Sequence, residues 1–332
     1  MTIPKDIVSN KTVLITGGTG SFGQAMTRKL LDSYSPKSVR IFSRDELKQH
    51  DMRIAFRDDD RLRFLLGDVR DQSRLQRALE GVDVVFHAAA LKQVPACEYN
   101  PIEAIRTNID GAINVIEASL NNNVERVIAL STDKAAGPVN LYGATKLCSD
   151  KLFIQANNYA GKRPIRFSVV RYGNVMASRG SVIPLFQKQL TEGKTLTITD
   201  ERMTRFWITL DQATDFVLTS LSMMLGGEIF VPKIPSMKIT ELAYAIDEAA
   251  EFSIQGIRPG EKLHEFLITS EEGRHTVQLQ DRFIVEPEFH WWKASKEHTH
   301  ERVPEGFSYT SENNSEWINR EVMRQLLTLN LH

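Results

Sequence analysis

The sequence predicts an α/β fold, a doubly wound parallel sheet followed by a smaller C-terminal lobe. Three observations predict it. Short apolar runs alternate with helical patterns from Thr12 to about Arg171, as strand–helix–strand crossovers of a parallel sheet do. The first run, Val13-Leu14-Ile15, leads directly into Gly17, Gly20 and Gly23 and then into a helical pattern. After Gly173 the segments shorten, and Pro184, Pro232, Pro235 and Pro259 interrupt them. Residues 1–173 are expected to form the sheet domain. Residues 174–332 are expected to form mainly the smaller lobe, with excursions that return to the sheet.

Each element follows from its own residues. Val13-Leu14-Ile15 is apolar without alternation, as a parallel strand covered on both faces must be. The helix after it is expected over Phe22–Asp32, with Ala25, Met26, Leu30 and Leu31 on one side. Between strand and helix the glycines have separate tasks: a tight turn, close backbone approach to a pyrophosphate, and close helix–sheet packing. The helix start adds free N–H groups and a positive dipole end. In strand–loop–helix context this pattern indicates a dinucleotide site.

The second strand, Ser38 to Phe42, ends in Ser43-Arg44-Asp45-Glu46. An acidic residue at this point usually holds the ribose 2′-hydroxyl of NAD. Arg44 comes first, however, and its planar fork suits a 2′-phosphate, which favours NADP. In the alternative, Asp45 holds the ribose and Arg44 is solvated. Asp68, after the third strand in Gly67-Asp68-Val69, is placed to bond the adenine amine. The fourth strand is expected over Val84 to Ala90, its small Ala88-Ala89-Ala90 end admitting the cofactor. Lys92 just beyond can reach substrate or cofactor phosphate. Further helices are expected over Glu46–Phe56, Ser73–Leu79, Pro101–Asn121 and Val139–Tyr159, and strands over Arg126–Leu130 and Arg166–Val170. Asn108, inside the Pro101–Asn121 helix, is placed to brace the catalytic helix or its water.

The chemistry is concentrated in Ser131-Thr132-Asp133-Lys134 and in Tyr142 and Lys146. The Tyr-x-x-x-Lys spacing puts both side chains on one helix face, one turn apart. A neighbouring Lys⁺ is expected to lower the phenol's pKa, making Tyr142 a base toward a sugar hydroxyl. Thr132 at the strand end would offer its hydroxyl to the same oxygen. Asp133 and Lys134 add a second acid/base pair. A simple alcohol dehydrogenase does not need that pair; a lyase that oxidises, eliminates water and reduces again does.

Composition narrows the function classes. The 332-residue chain carries 41 basic and 42 acidic residues; this balance gives no general attraction to nucleic acid. Cys97 and Cys148 are the two cysteines, too few for a disulfide framework and expected to be inert thiols of a cytoplasmic protein. The polar N-terminus does not resemble a signal peptide. No apolar run approaches a membrane span. The stretch 286–314 holds His290, His298 and His300. Without cysteines and with few spaced carboxylates it is read as an ordered loop rather than a metal site, followed by a final helix over Ser315–Leu329.

Taken together, the segments TGGTGSFG, FSRDELKQ, GDVRD, AALKQVP, STDKA with its following Tyr-x-x-x-Lys, RYGNV-x-x-SRGSVIP, MTRFWI and IRPGEK resemble the extended short-chain dehydrogenase/reductases, which share the Rossmann sheet. More narrowly they resemble the soluble inverting UDP-N-acetylglucosamine 4,6-dehydratases, which open pseudaminic acid synthesis. The resemblance runs from about Thr12 to Trp317. Membrane-bound relatives that retain the C5 configuration commonly carry Met in place of Tyr142 and precede the domain with membrane helices; neither feature is present here. A soluble capsule-pathway branch shares most other motifs.

The resemblance implies cofactor contacts at Gly17, Thr19, Gly20, Ser21, Phe22 and Gly23. It also implies contacts to a 2′-phosphate from Ser43 to Lys48, led by Arg44 and including Asp45 and Glu46, and further contacts at Asp68, Val69, Ala88, Ala89 and Asn108. It implies substrate contacts at Lys92, Asn174, Arg205, Arg258, Pro259, Gly260 and Glu261, with Arg205 and Arg258 neutralising a UDP pyrophosphate. In the implied mechanism Tyr142 and Lys146 serve oxidation at C4. A neutral Lys134, its pKa lowered by burial or by Lys146, takes the C5 proton, and Asp133 protonates the departing 6-hydroxyl. A homo-oligomer is expected. A UDP-sugar 4-epimerase would share the fold, Tyr142 and Lys146 but not need Asp133 and Lys134. A non-catalytic NADP-binding regulator would often lack Tyr142 or Lys146.

Overall fold

The computed structural model describes residues 5–176, 178, 180–289, 292 and 301–330. Seven parallel strands form its centre: β1 (Thr12–Thr16), β2 (Ser38–Ser43), β3 (Leu62–Leu66), β4 (Val84–His87), β5 (Arg126–Thr132), β6 (Arg166–Tyr172) and β7 (Ile229–Pro232). They lie in the order 3-2-1-4-5-6-7. Three short strands extend the sheet antiparallel beyond β7: β8 (Thr276–Gln278), β9 (Arg282–Val285) and β10 (Glu301–Arg302), with β9 against β7, β8 against β9 and β10 outermost. The strand order reverses between β1 and β4, so their C-terminal ends open a crevice. The sheet is therefore doubly wound, as the alternation of apolar runs implied. Val13, Leu14 and Ile15 have no exposed surface.

Helices cover both faces: α1 (Ser21–Ser33), α2 (Glu46–Ala55), α3 (Gln72–Ala78), α4 (Val94–Tyr99), α5 (Pro101–Ile105), α6 (Gly111–Asn121) and α7 (Leu141–Tyr159). The predicted Pro101–Asn121 helix is not continuous. A π-helical turn, Arg106–Asp110, separates α5 from α6, and Asn108 sits in it. Such turns re-aim side chains within a helix. The predicted strand Val84–Ala90 ends at His87, because the Thr16 hydroxyl accepts Ala88 N–H and Ala89 N–H at 3.2 Å each and draws the chain out of the ladder. α7 begins at Leu141 rather than Val139, where Asn140 caps it by accepting Gly143 N–H at 2.7 Å. The final helix is Arg320–Asn330, shorter than the predicted Ser315–Leu329. Trp317 instead bridges to Ser236, and the Asn319 carboxamide accepts Val322 N–H.

A second apolar cluster fills the smaller lobe, with Phe186, Trp207, Leu242 and Met323 at its centre. A three-stranded sheet of Ser236–Lys238, Thr204–Ile208 and Asn174–Val175 stands beside it. Asn174 follows β6 after a single residue, Gly173. The lobe thus starts at the same end of the sheet as the crevice and forms its second wall. The segment holding His290, His298 and His300 falls on residues outside those described. Among the described residues no group of His, Cys, Asp or Glu has a metal-holding arrangement.

Candidate active site

A cleft of about 1390 Å³ runs from the β1 glycine turn, past the ends of β4 and β5, into the smaller lobe. At one end, Gly17 turns the chain with φ +65°, and a Cβ there would lie 2.9 Å from Ala89 backbone atoms; only glycine permits both. The α1 cap is Gly20, with no side chain to bond the first-turn N–H groups. They are left for an anion, as a phosphate cradle requires. Gly23 packs directly on Gly18 and brings α1 against the loop.

Asp45 and Arg44 stand together at the ribose end of the cleft. Asp45 caps α2 by accepting Lys48 N–H at 3.0 Å and pairs with Lys48 Nζ at 2.7 Å. Those bonds hold its carboxyl below the usual range, the Lys48 side chain contributing most. Arg44 is half-exposed, its nearest carboxylate being Asp68 at 3.5 Å. Asp68 itself is turned toward Arg70, which donates from Nη2 at 2.7 Å. Asp68 lines the cleft, where it also braces the two arginines. Glu46 is exposed on α2 and does not line the cleft, which corrects its expected place among the cofactor contacts.

Asn108 is likewise corrected as a cofactor contact. It is 1 % exposed and absent from the cleft wall. Its side chain accepts Leu91 N–H at 2.8 Å and donates to Leu91 O at 2.9 Å and Thr145 Oγ1 at 3.0 Å. The π turn thus ties the loop after β4 to α7 beside Lys146, which is the bracing role expected for Asn108. Thr107 lines the cleft in its place.

The reactive groups gather where β5 ends. Thr132 Oγ1 donates to Asp133 Oδ1 at 2.8 Å and accepts Lys134 N–H at 3.3 Å. A single 3₁₀ turn, Asp133–Ala135, then carries the acid and the amine into the cleft. Lys134 Nζ lies 3.0 Å from Asp133 Oδ1 and 3.2 Å from Glu265 Oε1. Arg205 Nε and Lys262 Nζ approach Glu265 at 3.7 and 3.9 Å. Tyr142 and Lys146 are buried on α7 at the same wall.

Two charge states run against the expected direction. Burial pushes Tyr142 up to about 12, against the pull of Lys134 and of the Thr132 hydroxyl. Lys134 is the foremost cation lowering the phenol, and burial outweighs it. Burial alone would lower Lys134, but Asp133 and Glu265 outweigh it and hold the ammonium above its ordinary value. Lys134 thus rests charged, because two carboxylates are nearer to it than any second lysine. Asp133 is raised by burial. Burial would raise Glu265 too, but Lys134, Arg205 and Lys262 together keep it below its usual range. Burial lowers Lys146, with Asp150 opposing. Asp150 in turn accepts from Ser131 at 2.7 Å and meets Arg171, which is bound by Glu272 at 2.9 Å. This buried chain ties α7, β5 and β6 together behind the reacting groups.

Arg205 lines the cleft. It donates to Thr204 O at 2.7 Å, Leu263 O at 3.0 Å and Lys262 O at 3.2 Å. Its fork buttresses the 262–265 segment. Arg258 is half-exposed at the rim, 4.0 Å from Glu261. Lys92, Asn174, Pro259, Gly260 and Glu261 line the lobe side. Asp133 Oδ2, Asn174 Oδ1, Glu261 Oε2 and Glu265 Oε2 are buried acceptors with no hydrogen-bond partner. Buried polar atoms are rarely left so, and four unpaired acceptors around one cleft suit a ligand rich in hydroxyl and amide donors. Glu265 and Lys262 had no assigned role in the sequence. Lys262 ends the IRPGEK segment and Glu265 lies just beyond it, uninterpretable until folding brought them to Lys134.

Fold and site together define an extended short-chain dehydrogenase/reductase: a dinucleotide cradle, a Tyr–Lys helix and a sugar-sized lobe. The chain belongs to the polysaccharide biosynthesis protein family, which it matches over residues 13–287. It is 50% identical over 327 residues to the UDP-N-acetylglucosamine 4,6-dehydratase (inverting) of Campylobacter jejuni, covering 96% of this chain and 98% of that one. It is 45% identical over 329 residues to a UDP-glucose 4-epimerase of Rickettsia conorii, covering 96% of each. Pen from Bacillus thuringiensis, a solved structure, superposes with a TM-score of 0.90 at 38% identity, covering 97% of this chain and 98% of Pen. The dTDP-glucose 4,6-dehydratase DesIV from Streptomyces venezuelae, solved with NAD, gives 0.70 at 25% identity over 76% of this chain and 86% of its own.

Proposed function

We propose that this chain is a 5-inverting UDP-N-acetylglucosamine 4,6-dehydratase, with NADP as its bound cofactor, that supplies pseudaminic acid or a related glycan. The observation that carries the reading is Lys134 Nζ held between Asp133 and Glu265 beside Tyr142. This is a second acid/base set adjoining the oxidation set. Likeness to the inverting dehydratase of Campylobacter jejuni supports the substrate and the reaction. No helix among the described residues is long and apolar enough to cross a membrane; a cytoplasmic location and a homo-oligomer are part of the proposal.

The glycine turn, the uncapped start of α1 and Arg44 would hold NADP, which when bound takes hydride from C4 and later returns it to C6. The chain's own residues supply the proton steps. Tyr142, hydrogen-bonded to Thr132, first releases its own proton to solvent and then, as the phenolate, takes the O4 proton as the C4 ketone forms. The ketone acidifies the C5 hydrogen. Asp133 and Lys134 share one transferable proton across 3.0 Å. With that proton on Asp133, the pair is a neutral amine beside a carboxylic acid. The amine takes the C5 proton, the acid protonates O6, the C6–O bond breaks and water leaves. Desolvation favours this neutral form of the pair once the cleft is closed by sugar.

The competing 4-epimerase reading draws on the Rickettsia conorii relative. Such an enzyme has no use for the Asp133–Lys134–Glu265 cluster. Incubation with UDP-N-acetylglucosamine decides between them by mass spectrometry: loss of one water is expected, and an unchanged mass would leave the epimerase or a regulator. In D₂O the product should be UDP-2-acetamido-2,6-dideoxy-β-L-arabino-hexos-4-ulose with one solvent deuterium at C5 and an internal hydride at C6. A D-xylo product at short incubation, read by NMR, would refute inversion while leaving dehydration intact.

Arg44→Ala tests the cofactor. Asp45 is committed to Lys48, so the 2′-phosphate depends on Arg44. The variant should bind NADP about 10-fold or more weakly, the scale of a lost charge-assisted bond, while NAD affinity stays within about twofold. Equal losses on titration of cofactor-stripped protein would refute the assignment.

A further inference from the structure

Glu265 belongs to the lobe, far in sequence from the β5 cluster, yet it closes that cluster. It is 3% exposed, its Oε1 lies 3.2 Å from Lys134 Nζ, and its Oε2 faces the cleft wall without a hydrogen-bond partner. Its backbone is held on both sides: Glu265 N–H donates to Ser311 Oγ at 2.9 Å, and Ser311 N–H donates to Glu265 O at 2.8 Å. The next residues, Phe266–Ile268, pair with Tyr309–Thr310. A flexible surface carboxylate would not be pinned in this way. Arg205, itself fixed by three carbonyls, and Lys262, which donates to Ala136 O at 2.6 Å, set the carboxylate's position from two further sides.

We propose that Glu265 is the positioning residue of the elimination step: from the smaller lobe it holds Lys134 Nζ against Asp133 and keeps the shared proton on that pair. The proposal rests on the dehydratase reading above. Without Glu265, the lysine has one carboxylate, and its four-carbon stem can swing toward solvent. Oxidation at C4 needs Tyr142 and Lys146, neither of which is hydrogen-bonded or ion-paired to Glu265, so it should survive. The lobe thereby supplies the step that a simple dehydrogenase lacks.

The groups facing Lys134 set the sign of the pH effect. They are Asp133 and Thr132 on its own segment, Tyr142 on α7, Arg205 on Thr204–Ile208, and Glu265 with Lys262 from the lobe. Glu265 raises the hold of the pair on its proton. Removing that negative charge weakens the hold, so the pair loses its proton at lower pH and activity falls on the alkaline side.

The test uses full-length protein loaded with NADP, and starts from water loss by the wild type, whose absence would defeat the dehydratase reading itself. Given that loss, Glu265→Gln should slow dehydration about 100-fold, the lower range for general acid–base assistance. Reduced cofactor, read at 340 nm, should build up because C4 is still oxidised. The alkaline limb of the rate profile should move to lower pH, and Glu265→Asp should recover part of the rate. Dehydration within threefold of wild type at every pH would overturn the proposal. So would equal loss of reduced cofactor and of water release, which would mark a role in folding or binding alone.

Discussion

Tyr142→Phe is expected to stop the reaction before any hydride moves. The phenol is the group placed to take the O4 proton, with Thr132 beside it and Lys134 as the nearby cation. Hydride cannot leave C4 while O4 keeps its proton, because the carbonyl forms only as both depart. Loss of a positioned base costs about 10²–10⁴-fold, and here that loss applies to water release and to reduced-cofactor formation alike. The fold should be unaffected, since phenylalanine fills the same buried space. Rapid mixing with UDP-N-acetylglucosamine, followed at 340 nm, checks this. Hydride transfer at wild-type rate would remove Tyr142 from the first step. The pH dependence has a definite sign. With the phenol pushed up to about 12, it rests protonated at neutral pH, so the oxidation rate of the wild type should rise as pH is raised toward that value.

Lys134→Ala should divide the reaction differently. Water loss should fall by about 10²–10⁴-fold, because the amine that accepts the C5 proton is gone, while cofactor stays bound; oxidation at C4 should be slowed less, through the lost pull of Lys134 on the phenol. The variant also leaves Asp133 and Glu265 facing each other without their cation. Breaking a buried pair by removing one partner costs about 3–5 kcal/mol. Lys134 is a quarter exposed to the cleft, so water can enter and the cost should be lower. Both carboxyls should take up protons more readily. The lost stability should therefore be present near neutral pH and diminish as pH falls. Denaturant titration at two pH values, alongside D₂O exchange at C5, separates the chemical from the structural effect. Full dehydratase activity in this variant would remove Lys134 from the mechanism.

Local pattern accounts for much of the structure. Val13-Leu14-Ile15 and the glycines after it needed no distant residue to be understood, since strand burial and turn geometry are local demands. The Tyr142–Lys146 spacing likewise follows from helix pitch alone. Interruptions were less legible. The π turn at Arg106–Asp110 leaves no mark on the apolar period, because Asn108 is recruited by Leu91 and Thr145, which reach it only after folding. The end of β4 depended in the same way on a hydroxyl from β1.

Charge states were the least legible of all. Lys146 is Tyr142's neighbour along the helix, yet Lys134 exerts the foremost pull on the phenol. The implied mechanism needs Lys134 lowered by burial or by Lys146, yet it lies between two carboxylates. Arg205 looked free for a pyrophosphate, but carbonyls of its own lobe hold it. The sequence by itself determined the doubly wound sheet, the dinucleotide turn and which residue types stand at the reacting end. These depend on local periodicity and on short spacings along one element. The tertiary structure alone decided which of those groups carry charge and which face one another. Coulomb interactions act through space, and Glu265 reaches Lys134 only when the smaller lobe closes over the end of β5.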